Sequence, residues 1–400
     1  MDTNTPPAGM RKGALSGIRV IDVSRALAGP YSTMLMGDLG ADVIKLEMPG
    51  TGDESRYWGP PFATYMSTNR NKRSVEVDLH TPEGQQVCRD LIATADIVVE
   101  NFRPGTMKRF NLDYHSVVKV KPDIIYCSVS AYGQTGPMAH RPGIDLMVQA
   151  ISGLMSQTGE PGGRAMKAGG PVADIVGGFS AVMSIMASLM ERRETGKGRY
   201  IDIAMLDALM MVLNQQIVTY TATGRPYARV GNAHPLMAPY ESFAASDREF
   251  VMAVTNQKAW MAFVSIPEFA FLDAIPEFKK QVDRNINRVR MLEMIYAVFK
   301  TKTADEWLAV LDRLGIPSEP ILTLPEVVAL PHLQQRGSLM EIEYPPGSGE
   351  KVVIPGMPWK DVAAPVVRRD PPSLGQHTNE VLKELYGPAY AERLAASATK

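Results

Sequence analysis

Two cysteines, six scattered histidines and a net charge of −1 in 400 residues remove several function classes at the outset. Cys88 and Cys127 are too few for a disulfide framework, fall in segments that read as a helix and a strand, and have no metal-ligand spacing. A reducing cytoplasm is the expected compartment. The histidines show no HxH, HxxH or HExxH pattern, so no protein-bound metal is expected. With 42 Lys and Arg against 43 Asp and Glu, neither nucleic acid nor a membrane surface is an expected partner. The start, MDTNTPPAGMRKG, lacks the apolar stretch of a signal peptide, and the longest apolar run, 175–190, reads as too short to cross a bilayer. No GxSxG elbow or Walker loop occurs. The turn after the first strand, SRALAGPYSTMLMGDLG, has a single glycine before its helix where a dinucleotide fingerprint has three.

What is present is an alternation of strands and helices. IRVIDV (18–23), DVIKLE (42–47), DIVVEN (96–101), DIIYCSVS (123–130) and RYIDIAM (199–205) read as strands, several of them apolar on both faces as in a covered parallel sheet. Helices are expected near 30–39, 82–94, 145–156, 175–190 and 206–222. The pattern predicts an α/β fold, with a doubly wound parallel sheet in a large domain (1–224). A smaller α+β domain (225–330) is expected to follow, with a strand at 249–254 and helices at 257–265, 286–300 and 304–314. A proline-rich segment (331–400), with a terminal helix near 377–395, is expected to return to the large domain. The 24 methionines fall mostly on helix faces such as 205–211, where core packing is the expected role.

Two features carry chemistry. Arg25, Arg70, Lys72, Arg73, Arg103, Arg109 and Arg141 fall near strand ends, where an open α/β sheet binds ligands, so a polyanion site competes with a solvated basic rim. Asp174 stands where a glycine-rich turn becomes a helix whose apolar positions are Ile175, Phe179, Val182, Met183, Met186, Leu189 and Met190. Such an acid is an N-cap by default, but an ionised carboxylate is also a nucleophile. Gly169, Gly170, Gly177 and Gly178 would let a bulky ligand approach.

SRALAGP (24–30), GADVIKLE (40–47), NRNKRSVEVDL (69–79), ENFRPG (100–105), AYGQTGP (131–137), RPGIDL (141–146) and ADIVGG (173–178) together resemble the class III CoA-transferase family. LGQHTNEVLKEL (374–385) extends the likeness to nearly the whole chain. The resemblance implies an interlocked homodimer and CoA or acyl-CoA as substrate with no permanently bound cofactor. It makes Asp174 the nucleophile, forming an aspartyl anhydride and then an aspartyl-CoA thioester. An aspartate with a reference pKa of about 3.9 would be ionised without a base, and N–H groups of Gly177, Gly178 or the 132–137 loop would meet the oxyanion. By position, CoA contacts fall on Arg25, Leu27, Ala28, Val77, Asp78, Leu79, His80, Asn101, Phe102, Arg103 and Arg109, with Arg141 as a further cation. Met48 and His80 depart from formyl-CoA transferase, which carries an arginine and a lysine there, and its glycine-rich flap is absent. The resemblance suggests succinyl-CoA as donor and a dicarboxylate as acceptor. Alternatives are a non-catalytic CoA-binding subunit of a heteromer and a 2-methylacyl-CoA racemase, whose histidine base would fall at Ile144.

Overall fold

A computed structural model describes residues 13–59, 62–358 and 369–387; the N-terminal MDTNTPPAGMRK and the end of the expected terminal helix beyond Gly387 lie outside them. Six strands form one sheet: β1 (Arg19–Asp22), β2 (Asp42–Glu47), β3 (Lys72–Glu76), β4 (Ile97–Glu100), β5 (Ile125–Ser130) and β6 (Arg199–Ala204). All pairs are parallel and the order is 3-2-1-4-5-6, the doubly wound order.

Alternation along each strand feeds two cores. Val20, Val43, Ile97 and Ile125 face a cluster that includes the Ala28–Asp38 and Val172–Thr195 helices, while Ile21, Ile44, Val98 and Tyr126 face one that includes Pro82–Ala93. Helices therefore cover both faces, which is why these strands carry few polar residues. The exception is β3. Its KRSVE has one apolar residue in five, so periodicity does not reveal it. Lys72 and Arg73 are nevertheless buried, because each carries its own counterion into the sheet.

That pairing corrects the expectation of a solvated basic rim or polyanion site at Arg70, Lys72 and Arg73. Arg70 pairs with Asp38, Lys72 with Asp22 at 2.9 Å, and Arg73 with Asp42, Glu380 and Glu384. Asp22 also accepts from the Ser24 N–H at 2.9 Å and the Thr33 hydroxyl at 2.7 Å. Lys45 Nζ lies 2.8 Å from Asp53 and donates to the Ser24 carbonyl. Burial disfavours the charged form of Asp22, yet Lys72 and Lys45 outweigh it and hold the carboxyl well below its usual range.

The long helix Val172–Thr195 also departs from expectation. At 24 residues it is long and apolar enough to cross a membrane, where its apolar run alone reads as too short. Its buried face is built largely of small residues: Ala173, Gly177, Gly178, Ala181 and Ser188 are buried beside Val182, Ile185 and Leu189, while Phe179, Met183 and Met190 are exposed. Met211 is exposed too, so core packing does not account for every methionine. The helices expected at 145–156 and 206–222 are each broken in two, as Asp145–Ile151 with Leu154–Gln157 and Met205–Val212 with Asn214–Thr223.

One compact unit takes the chain up to Leu154, Lys167–Arg225 and the chain from His332 onward; a second takes Met155–Met166 and Pro226–Pro331. The second unit has an antiparallel sheet of β7 (Tyr240–Ala244), β8 (Glu249–Ala253) and β9 (Ser318–Pro320) over an aromatic core that includes Phe243, Phe263, Phe299 and Trp307.

Removing the Asp22 carboxylate strands Lys72 in the interior. Asp22→Ala should cost about 3–5 kcal/mol in urea unfolding followed by circular dichroism; a loss below about 1 kcal/mol would place the energy of the β1–β3 region elsewhere.

Candidate functional site

The strand order reverses at β1, and a cleft opens beyond the carboxyl ends of β1 to β4. Of the sequence-predicted residues, Arg25, Val77, Leu79, His80, Phe102 and Arg109 line it. The Arg25 guanidinium lies over the Phe102 ring at 5.1 Å, and His80 meets Phe110 edge-on at 5.3 Å. Met48, noted from sequence as standing where formyl-CoA transferase carries an arginine, is also in the wall, with Glu47 and Thr106, which the sequence reading did not single out.

The other predicted residues do not line this cleft. Asn101 holds it together from behind: its side chain accepts the Arg25 N–H at 2.8 Å and donates to the Arg25 carbonyl at 2.7 Å. Asp78 accepts the His80 N–H at 2.9 Å. Leu27 precedes the Ala28–Asp38 helix and Ala28 is buried in its first turn. Arg103 and Arg141 are exposed.

The turn carrying Arg25 and Ala26 is held by the buried ion pairs beneath it. Ala26 has a φ of 63°, unusual for a residue with a Cβ, and its N–H donates to Asp53 at 3.2 Å. Asp53 also pairs with Lys45, and its own N–H donates to Glu47 at 3.0 Å. Glu47 takes two bonds from Arg56, at 2.9 and 2.8 Å, so its charge is neutralised before it reaches the cleft.

Asp174 is not the cap of its helix. It is the third helical residue, Pro171 precedes the helix, and no side chain at that position caps it. The cap comes from across the fold: Asp145 Oδ1 accepts the Ala173 N–H at 2.8 Å and the Asp174 N–H at 3.4 Å. Gln149 fixes Asp145 with a 2.6 Å bond to Oδ2, and in turn accepts the Ala168 N–H at 2.9 Å. Among the described residues the Asp174 carboxylate accepts no hydrogen bond. Burial and the neighbouring Asp145 push its pKa up to about 7, against the expectation of a low value. Asp145 escaped the sequence reading, although an acid opening a helix in RPGIDL was a legible signal.

Asp174 and Gly178 stand one turn apart on the same helix face. Gly178 packs on the first turn of the Ala28 helix so tightly that a Cβ would fall 3.0 Å from the Ala28 carbonyl oxygen and from Tyr31. The turn Arg25–Leu27 therefore has the cleft at one end and the Asp174 helix at the other. Gly178 serves this packing and Gly177 packs on Met205; the N–H groups of both lie beyond the four that a helix leaves free, so they cannot form the expected oxyanion hole. Gly169 and Gly170 border open space. Ile144, just before the Asp145 helix, is exposed and offers no base.

The raised pKa has a stability consequence. A carboxyl whose folded value lies above its unfolded value favours the folded state while protonated, and this contribution is lost as pH rises from about 4 through 7. Asp174→Asn should therefore melt higher than the wild type at pH 8, by a margin that shrinks steadily toward pH 4. A margin independent of pH would contradict the assignment.

Comparison with known proteins identifies the family. The sequence model of CoA-transferase family III matches residues 15–378. A succinate–glutarate CoA-transferase of Agrobacterium fabrum is 39% identical over 394 residues, covering 94% of this chain and 96% of that protein. An acetyl-CoA:oxalate CoA-transferase of Acetobacter aceti is 36% identical, over 96% of this chain and 99% of that protein. A CAIB/BAIF family protein from Brucella suis superposes with a TM-score of 0.86 at 35% identity, over 94% of this chain and all of that one. Matched along nearly its whole length by the family model and by these relatives, the chain belongs to CoA-transferase family III.

Proposed function

We propose that this CoA-transferase moves CoA from succinyl-CoA to a dicarboxylic acid such as glutarate, with Asp174 as the covalent carrier. The observation that carries the reading is the Asp174 carboxylate, half-buried and, among the described residues, without a hydrogen bond, one turn from the glycine that packs on the Ala28 helix behind the cleft loop. The substrate pair is supported by the name of the Agrobacterium relative.

Asp174 in its ionised form attacks the thioester carbonyl, forming an anhydride and expelling CoA thiolate. Thiolate then attacks the aspartyl carbonyl; the carbon–sulfur bond forms as the acid departs with an oxygen from the aspartate. The acceptor acid repeats the two steps in reverse. Because the resting carboxyl titrates near 7, activity should rise with pH through that value. A carboxylate stripped of hydrogen bonds is also the more nucleophilic one, and the 132–137 loop is the remaining source of oxyanion donors.

The cleft takes the nucleotide end of CoA, with adenine against the Arg25 and Phe102 pair and phosphate on Arg25 and Arg109. Arg103 and Arg141, both exposed, add positive charge, while Met48 and His80 remove two cations that formyl-CoA transferase has. The chain works in the cytoplasm as an interlocked homodimer with no resident cofactor. Exposed Met183, Met190, Met211, Val218 and Tyr220 supply apolar surface for that assembly.

Asp174→Ala should lose at least about 10³-fold in transferase activity while binding CoA as the wild type does. Wild type given acyl-CoA and hydroxylamine should gain a hydroxamate on the peptide containing Asp174. Activity surviving in the alanine variant would end the assignment. Tagged and untagged protein, mixed without denaturant, should form no mixed dimers over hours; rapid exchange would rule out interlocking.

A further inference from the structure

The outer edge of the six-stranded sheet is closed by a piece of the C-terminal segment that is not a strand. Beside β3, the His377 N–H donates to the Ser74 carbonyl at 2.9 Å, and the Ser74 N–H donates back to the His377 imidazole Nδ1 at 3.2 Å. The Glu76 N–H donates to the Thr378 hydroxyl at 3.0 Å, and the Gly375 N–H to Ser74 Oγ at 3.0 Å. Side-chain acceptors thus take the place of a neighbouring strand's carbonyls. Gly375 comes so close that a Cβ would lie 2.4 Å from Glu76 Oε2, and its φ of +67° favours glycine.

Ser74 is tied to the cleft from this edge. Its hydroxyl donates to Glu47 at 2.6 Å, Glu47 accepts the Asp53 N–H, and Asp53 accepts the Ala26 N–H beside Arg25. β3 itself runs on into Val77, Leu79 and His80, which form the same wall. A continuous line of hydrogen bonds therefore joins His377 to two sides of the cleft.

We propose that His377 is a positioning residue for acyl-CoA, its Nδ1 lone pair fixing Ser74 and through it the ends of β2 and β3 that wall the cleft. The inference rests on the reading of that cleft as the CoA site. The role requires an imidazole without a proton on Nδ1. Burial, with Arg369 and Arg73 nearby, keeps the ring neutral by lowering its pKa to about 4, although Glu380 and Asp42 pull the other way. The bland alternative is a tether for the helix Thr378–Tyr386, already held by Arg73 to Glu380 and Glu384. A tether contributes to stability alone.

Two substitutions separate these roles. His377→Asn places an amide oxygen near the position of Nδ1 and keeps an acceptor, whereas His377→Leu keeps bulk and loses it. With full-length protein, His377→Leu should raise KM for succinyl-CoA and the calorimetric Kd for CoA about 3–10-fold, the scale of one lost hydrogen bond. Turnover at saturation and KM for the acceptor acid should stay within about twofold, and His377→Asn should restore CoA binding. Ser74→Ala, which cuts the next link, should move KM the same way and reads the relay if the leucine variant fails to fold. A lower Tm with unchanged KM and Kd, or equal defects in the asparagine and leucine variants, would overturn the proposal. Phe102→Ala tests the underlying reading separately: unchanged CoA affinity there would show that the cleft is not the CoA site.

Discussion

Two lysines rise through the interior of the parallel sheet, and everything at its carboxyl edge depends on their being neutralised. Lys45 and Lys72 are fully buried, and Asp53 and Asp22 meet them at 2.8 and 2.9 Å. A buried ion pair of this kind adds little net stability over a well-packed apolar core, but removing one partner is expensive, so it selects one arrangement sharply. The arrangement selected is that of the Ser24–Ala28 turn. Lys45 holds the Ser24 carbonyl, Lys72 holds the Pro30 carbonyl, and Asp53 holds the Ala26 N–H in its left-handed conformation. The charges sit inside the sheet, and their product is the shape of a loop.

That loop touches both the cleft and the helix that carries Asp174. At one end Arg25 lies over Phe102 in the cleft, and at the other Ala28 receives the glycine face of the helix that carries Asp174. Two acids then divide the work at that helix. Asp145 accepts the first N–H groups and stays engaged; Asp174, relieved of capping, is left exposed to its own desolvation and to the charge of Asp145. An aspartate that capped its own helix would be stabilised as an anion and correspondingly less reactive.

Much of this was legible in the sequence. The strands other than β3 announce themselves through apolar runs, and the cleft residues Arg25, Val77, Leu79, His80, Phe102 and Arg109 follow from the family resemblance. What was hidden has a common cause, since pattern reading assigns each side chain by its own polarity. Lys72 and Arg73 looked like surface cations because their partners lie 31 to 311 residues away in sequence. Phe179 and Met183 looked like the inner face of the long helix, yet Gly177, Gly178 and Ala181 form it, because close approach to another helix rewards small residues over large ones. Asp174 looked like a cap because Asp145 was too distant to be weighed against it.

The central claim is that Asp174 is kept free in order to carry the acyl group, and oxygen isotopes test it directly. If the proposed anhydride forms, an oxygen of the acceptor acid must remain on the aspartate after each turnover, and an oxygen of the aspartate must leave with the released acid. Turnover with doubly ¹⁸O-labelled glutarate and unlabelled succinyl-CoA should place ¹⁸O on the peptide containing Asp174, and then in the succinate released by later turnovers. Label found in neither, while glutaryl-CoA accumulates, would contradict the account.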